Sequence, residues 1–143
     1  MTIVPAALAL LANADGAGTT PAAGPVVIAV SGIRSAQGRI HVDVCPEATF
    51  LKACPWTASV PAQVGTVTVT VRGVPSGRYA VQAFHDANAN GEVDLGIFGI
   101  PKEGIGFSND AMARLQRPKF AVAAFNHATT TQTIPVKLRY FLG

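Results

Sequence analysis

Apolar and polar residues alternate with a period of two through much of this chain. In Arg39-Ile40-His41-Val42-Asp43-Val44 the three apolar side chains share one face and Arg39, His41 and Asp43 share the other. Thr66–Arg72 (TVTVTVR) and Thr133–Tyr140 (TIPVKLRY) repeat the pattern. A strand with one dry and one wet face needs this spacing, so these segments predict half-buried antiparallel strands. Val26–Val30 is an apolar run of strand length, and Gly77–His85 is a mixed strand. Ser35-Ala36-Gln37-Gly38 and Gly73-Val74-Pro75-Ser76-Gly77 supply turns between them. Pro135 cannot donate to a ladder, which places the last strand at a sheet edge or starts it at Pro135. Trp56–Val60 and Phe120–Phe125 are weaker strands, the latter also readable as one or two helical turns. No segment carries a long 3.6-residue period. The expected architecture is all-β, a single antiparallel β-sandwich of about seven strands.

Composition narrows the class. Hydrophobic residues make up 49% of 143 and charged residues 13%, which excludes a disordered chain. No apolar run approaches the roughly 18 residues of a membrane-spanning helix. The net charge is +3, and the basic residues are scattered, without the cluster or stripe of a nucleic-acid footprint. The acids are not scattered. Asp86, Glu92, Asp94, Glu103 and Asp110 face a single Lys102 within one segment, net −4, whereas five basic residues and no acid follow Ala111. A negative loop in a positive chain suits a cation.

Residues 1–14 (MTIVPAALALLANA) are uncharged and end in Ala12-Asn13-Ala14, as a secretory h-region and small-x-small cleavage site do. The basic n-region is missing, which puts the true start upstream or makes the segment a short buried strand or helix. Residues 15–24 (DGAGTTPAAG) follow as a flexible spacer, leaving 25–143 as the domain. Cys45 and Cys54 lack partners at metal spacing. They are expected to pair in a disulfide if the chain is secreted or periplasmic, and to be two separate buried thiols if it stays inside the cell.

One loop carries recognisable chemistry. His85-Asp86-Ala87-Asn88-Ala89-Asn90-Gly91-Glu92-Val93-Asp94 presents side-chain oxygens at positions 1, 3, 5 and 9 of a D-x-N-x-N-G-x-x-D pattern. Gly91 supplies the sharp turn at position 6, and Glu92 offers its carbonyl at position 7. Asp86, Asn88, Asn90, Glu92 and Asp94 are therefore candidate Ca²⁺ ligands. Ile97 stands where the bidentate Glu of an EF-hand belongs, so a further carboxylate, Glu103 or Asp110, or water would complete the shell. The alternative needs no ion: Asn90-Gly91 is a strong turn signal, and Asn and Asp side chains curl back onto their own backbone. Both readings stay open. The stretch Gly96–Asp110 that follows has four glycines and no period, as a long glycine-rich binding loop would.

The set His85-Asp86-x-Asn88-x-Asn90-Gly91-x-x-Asp94, Gly99-Ile100-Pro101-Lys102-Glu103-Gly104, Gly106-Phe107-Ser108-Asn109 and Arg117-Pro118-x-Phe120 resembles a bacterial exported family, domain of unknown function 2141. The similarity runs from about Val26 to the C-terminus. It implies a secreted, β-rich domain and brings no activity with it. Gly77-x-Tyr79 is also similar, at the level of fold alone, to transthyretin-like and surface-protein repeat sandwiches, and the expected sandwich is immunoglobulin-like or transthyretin-like.

Catalysis finds little support. His85 and Asp86 are adjacent on a strand, so they point to opposite faces. Ser108 lies in Gly-Phe-Ser-Asn, outside a G-x-S-x-G elbow. His41 and His127 read as solvated, and His85 as a partly buried residue fixing the loop by a hydrogen bond. Trp56 is expected to cover the core near the cysteines. The expectation is thus a secreted or periplasmic, non-catalytic binding module for an unidentified protein or envelope component, with Ca²⁺ as its cofactor. A periplasmic small-ligand carrier, with a pocket lined by Phe98, Phe107 and Phe120, is the alternative, and a hydrolase a distant third.

Overall fold

The computed structural model describes residues 24–93 and 103–141. The 1–14 segment, the spacer up to residue 23, and the 94–102 stretch with Asp94 and Phe98 therefore lie outside the described residues. Eight strands follow in order: β1 Val26–Ile33, β2 Arg39–Cys45, β3 Trp56–Pro61, β4 Gly65–Val71, β5 Gly77–Asp86, β6 Ile105–Phe107, β7 Phe125–His127 and β8 Gln132–Lys137. One helical turn, α1 (Phe120–Ala123), precedes β7. The strands form two sheets, ordered β4-β1-β8 and β3-β2-β5-β6, with β7 also pairing to β5. The all-β expectation is met.

The alternation determines which faces are dry. Val26, Ile28 and Val30 of β1 are fully buried, and Ile28 lies between Val69 of β4 and Ile134 of β8. These residues join Ile40, Val42, Val44, Val81 and Ala83 of the other sheet in one contiguous buried cluster. Both sheets thus bury their apolar faces in the same core, where each Val or Ile contributes about 1.5–3 kcal/mol.

One direction differs from the sequence expectation. β8 runs parallel to β1, with Val26 opposite Gln132 and Ser31 opposite Lys137. Alternation reports a half-buried strand and says nothing of its direction. Pro135 sits mid-strand opposite Ala29, on the outer strand of the three, where its missing N–H is tolerated. The Phe120–Phe125 segment divides into the α1 turn and the start of β7.

β5 is buried on both faces. Val81 faces the main core, while Ala80 joins Cys45, Phe50, Phe107, Met112 and Phe120 in a second cluster on the other side. Cys45 and Cys54 are joined in a disulfide beside it. Trp56 instead packs edge-on against Tyr79 of the main core, with ring centroids 5.4 Å apart.

Candidate functional site

The site is built where β2 and β5 end together. Their antiparallel register sets Arg39 opposite Asp86, Ile40 opposite His85 and His41 opposite Phe84. His85 therefore faces the core side, as its parity predicts. It is 4% exposed and its Nε2 donates to the Gln37 carbonyl at 2.6 Å. Its N–H donates to the Gly104 carbonyl at 2.9 Å, which ties in the chain on the far side of the loop. Gly38 lies directly on the strand end: at φ +71° a Cβ there would come within 2.0 Å of the Asp86 carbonyl oxygen. Only glycine fits both that conformation and that approach.

Asp86 points the other way and is fully buried. Its Oδ1 accepts the Asn90 N–H at 3.1 Å and its Oδ2 the Gly91 N–H at 2.7 Å. His41 Nε2 stands 3.3 Å from the same Oδ2. The His41 ring stacks on Phe84 at 5.0 Å, so its position is fixed by packing as well as by its contact with Asp86. A buried carboxylate needs such partners, because an unpaired charge away from water is costly.

Past Asp86 the chain closes a series of small rings. Asn88 Oδ1 accepts the Asn90 N–H at 3.3 Å, and Asn90 Oδ1 accepts the Glu92 N–H at 2.9 Å. Ala89 at φ 56° and Gly91 at φ 79° take the left-handed conformations that the tight curl requires. Glu103 Oε2 accepts the Ala87 N–H at 2.8 Å, fastening the returning chain to the base of the loop. Asp110 is committed elsewhere, in an ion pair with Arg139.

Of the sequence-derived ligands, Asp86, Asn88 and Asn90 thus follow one another along a single curl, with Glu92 exposed at its end. Asp94 lies outside the described residues. Among the described residues no group of three His, Cys, Asp or Glu side chains is placed to hold a metal ion. The donor set consists of hard oxygens from one carboxylate, two amides and backbone. That chemistry matches Ca²⁺ and does not match zinc.

Two histidines depart from the solvated reading. His41 is the partner of Asp86. His127 is 3% exposed, with Nε2 donating to the Gly24 carbonyl at 2.9 Å and Nδ1 2.9 Å from Gln132 Oε1. The His41–Asp86 pair is a diagonal across two strands, and it is invisible until the β2–β5 register is known. Beside it on the same face, Asp43 Oδ2 accepts the Gln82 amide at 2.9 Å. Burial raises the Asp43 pKa above the usual carboxylate value, against the opposing effects of that hydrogen bond and of His41.

The other motif residues are also engaged. Ser108 Oγ, fully buried, donates to the Ala123 carbonyl at 2.6 Å and accepts the Val81 N–H at 2.9 Å. Asn109 Nδ2 donates to the Val122 and Ala124 carbonyls at 3.1 and 3.0 Å. A Cβ at Gly106 would come within 2.4 Å of the Lys137 carbonyl oxygen. Phe107 and Phe120 each pack edge-on against Phe50, at 5.8 and 5.7 Å, so Phe50 fills the space between them. Near the loop there is a small cleft of about 150 Å³ over Asp43, Leu51, Phe84 and Ile105. That is below the usual size of a ligand pocket.

The sequence profile of a family described as "Uncharacterized protein conserved in bacteria", domain of unknown function 2141, matches residues 28–135. The chain belongs to this family. Comparison with curated proteins and with solved structures returned no significant match. The matched span takes in every described strand except the ends of β1 and β8, and so the whole Asp86 loop with its His41 partner. In this family member the H-D-x-N-x-N-G and G-F-S-N residues perform visible structural work. The first set closes the loop at the end of β5, and the second clamps α1 against β5.

Proposed function

We propose that the chain is an exported, non-catalytic interaction module built as a β-sandwich, in which the Asp86–Asp94 loop takes up Ca²⁺ and orders the glycine-rich segment after it. The observation that carries this reading is the run of turns from Asp86 through Asn88 to Asn90, each closed by its own side-chain oxygen in the register of a calcium loop. With Asp86 and Asp94 as the charged donors, the affinity is of extracellular grade, about 10⁻⁴–10⁻³ M. The sandwich reading is supported by the core shared between the two sheets. It is supported too by Tyr79, whose hydroxyl donates to the Pro75 carbonyl at 2.8 Å, as a tyrosine corner does in immunoglobulin-like folds.

Export is supported by the Cys45–Cys54 disulfide, which persists in oxidising compartments. Among the described residues no helix is long and apolar enough to cross a membrane. A non-catalytic role is supported by Ser108 and His41. The hydroxyl of the first is buried and engaged at both ends, and the second is held against Asp86 and Phe84, while the Ser59 hydroxyl on the strand opposite it accepts from Arg39 Nε. The partner of such a module is a protein or an envelope component.

The test is thermal melting with and without Ca²⁺. At ten times the Kd, binding adds about 1.4 kcal/mol, or a rise of roughly 3–5 °C for a domain of this size. Asp94→Asn, combined with Asn88→Ala, abolishes the rise. Asp86→Ala is a poor probe, because it also strips the Asn90 and Gly91 N–H groups of their acceptor. A melting curve unmoved by millimolar Ca²⁺ leaves the loop as a turn closed by the side chains of Asp86, Asn88 and Asn90, with no ion.

A further inference from the structure

An unpaired sheet edge invites another strand, so folded domains blunt their edges with prolines, charges or short lengths. Among the described residues, every edge but one is blunted. In β8, the Gln132 and Leu138 N–H groups donate to the Pro25 and Ser31 carbonyls. That parity turns Thr133, Pro135 and Lys137 outward. Pro135 has no N–H to offer, and the Lys137 carbonyl lies against Gly106 of β6. β6 and β7 are three residues long, and β6 is bonded on its outer side to Arg139. In β5, His85 and Val81 direct their N–H groups away from β2, which by register leaves Thr57, Ser59 and Pro61 outermost in β3. There Arg39 Nη2 donates to the Ser59 carbonyl at 3.2 Å, and Pro61 again lacks a donor.

β4 has no such protection. The β1 parity turns Val26, Ile28 and Val30 toward Val71, Val69 and Val67, so the N–H and C=O groups of Thr66, Thr68 and Thr70 point outward. β4 ends its sheet, and among the described residues nothing hydrogen-bonds to those groups. Thr66–Val71 are six consecutive β-branched residues without charge, proline or glycine. Their valines are buried, while Thr66 and Thr68 are exposed.

We infer that the chain pairs with a second copy of itself through the β4 edges, antiparallel about a two-fold axis at Thr68. This register sets Thr68 opposite Thr68, Thr66 opposite Thr70 and Val67 opposite Val69. Threonines then meet threonines on the wet face and valines meet valines beside the core, pairings that favour adjacent strands. No like charges oppose each other. Arg72 of one copy comes opposite Val64 of the other, a side chain 70% exposed in the single chain, and its aliphatic stem covers it. About six backbone hydrogen bonds join the copies. The interface is small, so the dimer is weak, in the micromolar-to-millimolar range. None of this involves the Asp86 loop, and the outcome is independent of Ca²⁺.

Sedimentation equilibrium of the intact chain over a concentration series, paired with amide hydrogen exchange at its two extremes, tests the pairing. Dimerisation slows exchange about tenfold or more at the Thr66, Thr68 and Thr70 amides and leaves Val67, Val69 and Val71, already bonded to β1, nearly unchanged. Thr68→Lys places two ammonium groups against each other at the axis and abolishes association, and Thr68→Glu does the same with carboxylates. Mixing the two variants restores a dimer. At high dilution both variants melt close to wild type, because residue 68 is exposed and its outward backbone groups bond to no other strand of the domain. A monomer at every concentration overturns the inference, as does a dimer that survives Thr68→Lys. Thr68 protection that is independent of concentration also overturns it, since another segment of the same chain then occupies the edge.

Discussion

Replacing Ser108 by alanine removes one oxygen and tests the reading of the G-F-S-N segment as a clamp. β5 is paired on its outer edge in pieces. β7 covers Gly77–Tyr79 and β6 covers Gln82–Phe84, leaving Ala80 and Val81 between them. There the Ser108 hydroxyl stands in for the missing strand, accepting the Val81 N–H and passing its own proton to the Ala123 carbonyl. The site is fully buried, so water does not replace the lost partner. An orphaned buried donor costs about 1–3 kcal/mol. A carbonyl keeps a second lone pair and suffers less, which gives a total of roughly 2–4 kcal/mol. For a domain of this size that lowers the melting temperature by about 4–16 °C. Urea unfolding gives the free energy directly, and hydrogen exchange at Val81 locates it. A loss below about 0.5 kcal/mol, with the Val81 amide still protected, refutes the clamp and returns Ser108 to the list of free hydroxyls.

Two further outcomes follow from the same packing. The Cys45–Cys54 disulfide closes a loop with a sequence separation of 9, so the Cys45→Ala/Cys54→Ala pair loses about 2.7 kcal/mol on the chain-entropy account. Equal stability of the native and double-alanine proteins in urea counts against it. Asp43 has its pKa raised in the folded state by burial. The folded state therefore holds that proton more tightly than the unfolded chain, and the Asp43 contribution is most favourable below the unfolded carboxylate pKa and declines as pH rises through the folded one. Asp43→Asn is accordingly more stable than wild type at neutral pH, and the advantage disappears on acidification. A midpoint difference that grows as pH falls contradicts the assignment.

What the sequence made legible was the faces. Alternation identified β2, β4 and β8, an apolar run identified β1 and a mixed pattern β5, and parity alone placed His85 toward the core and Asp86 away from it. Pairing was not legible. The parallel β1–β8 ladder and the His41–Asp86 diagonal depend on register and on long connections, which side-chain pattern does not encode. The solvated readings of His41 and His127 failed for that reason. His41 sits on the polar face of β2 and is covered by the Asp86 loop, while His127, at the end of β7, is covered by Gly24, distant in sequence, and by Gln132, five residues on. The D-x-N-x-N-G spacing correctly located the turn, because Asx closure is local.

The side-by-side, same-direction arrangement of β1 and β8 has a mechanical consequence. The segment entering β1 and the segment leaving β8 depart from opposite ends of one ladder. Tension applied through these two segments slides the strands lengthwise past each other, so every rung between them is loaded at once instead of being unzipped in turn. A domain strung between two anchors by these segments resists pulling through its whole first-to-last pairing.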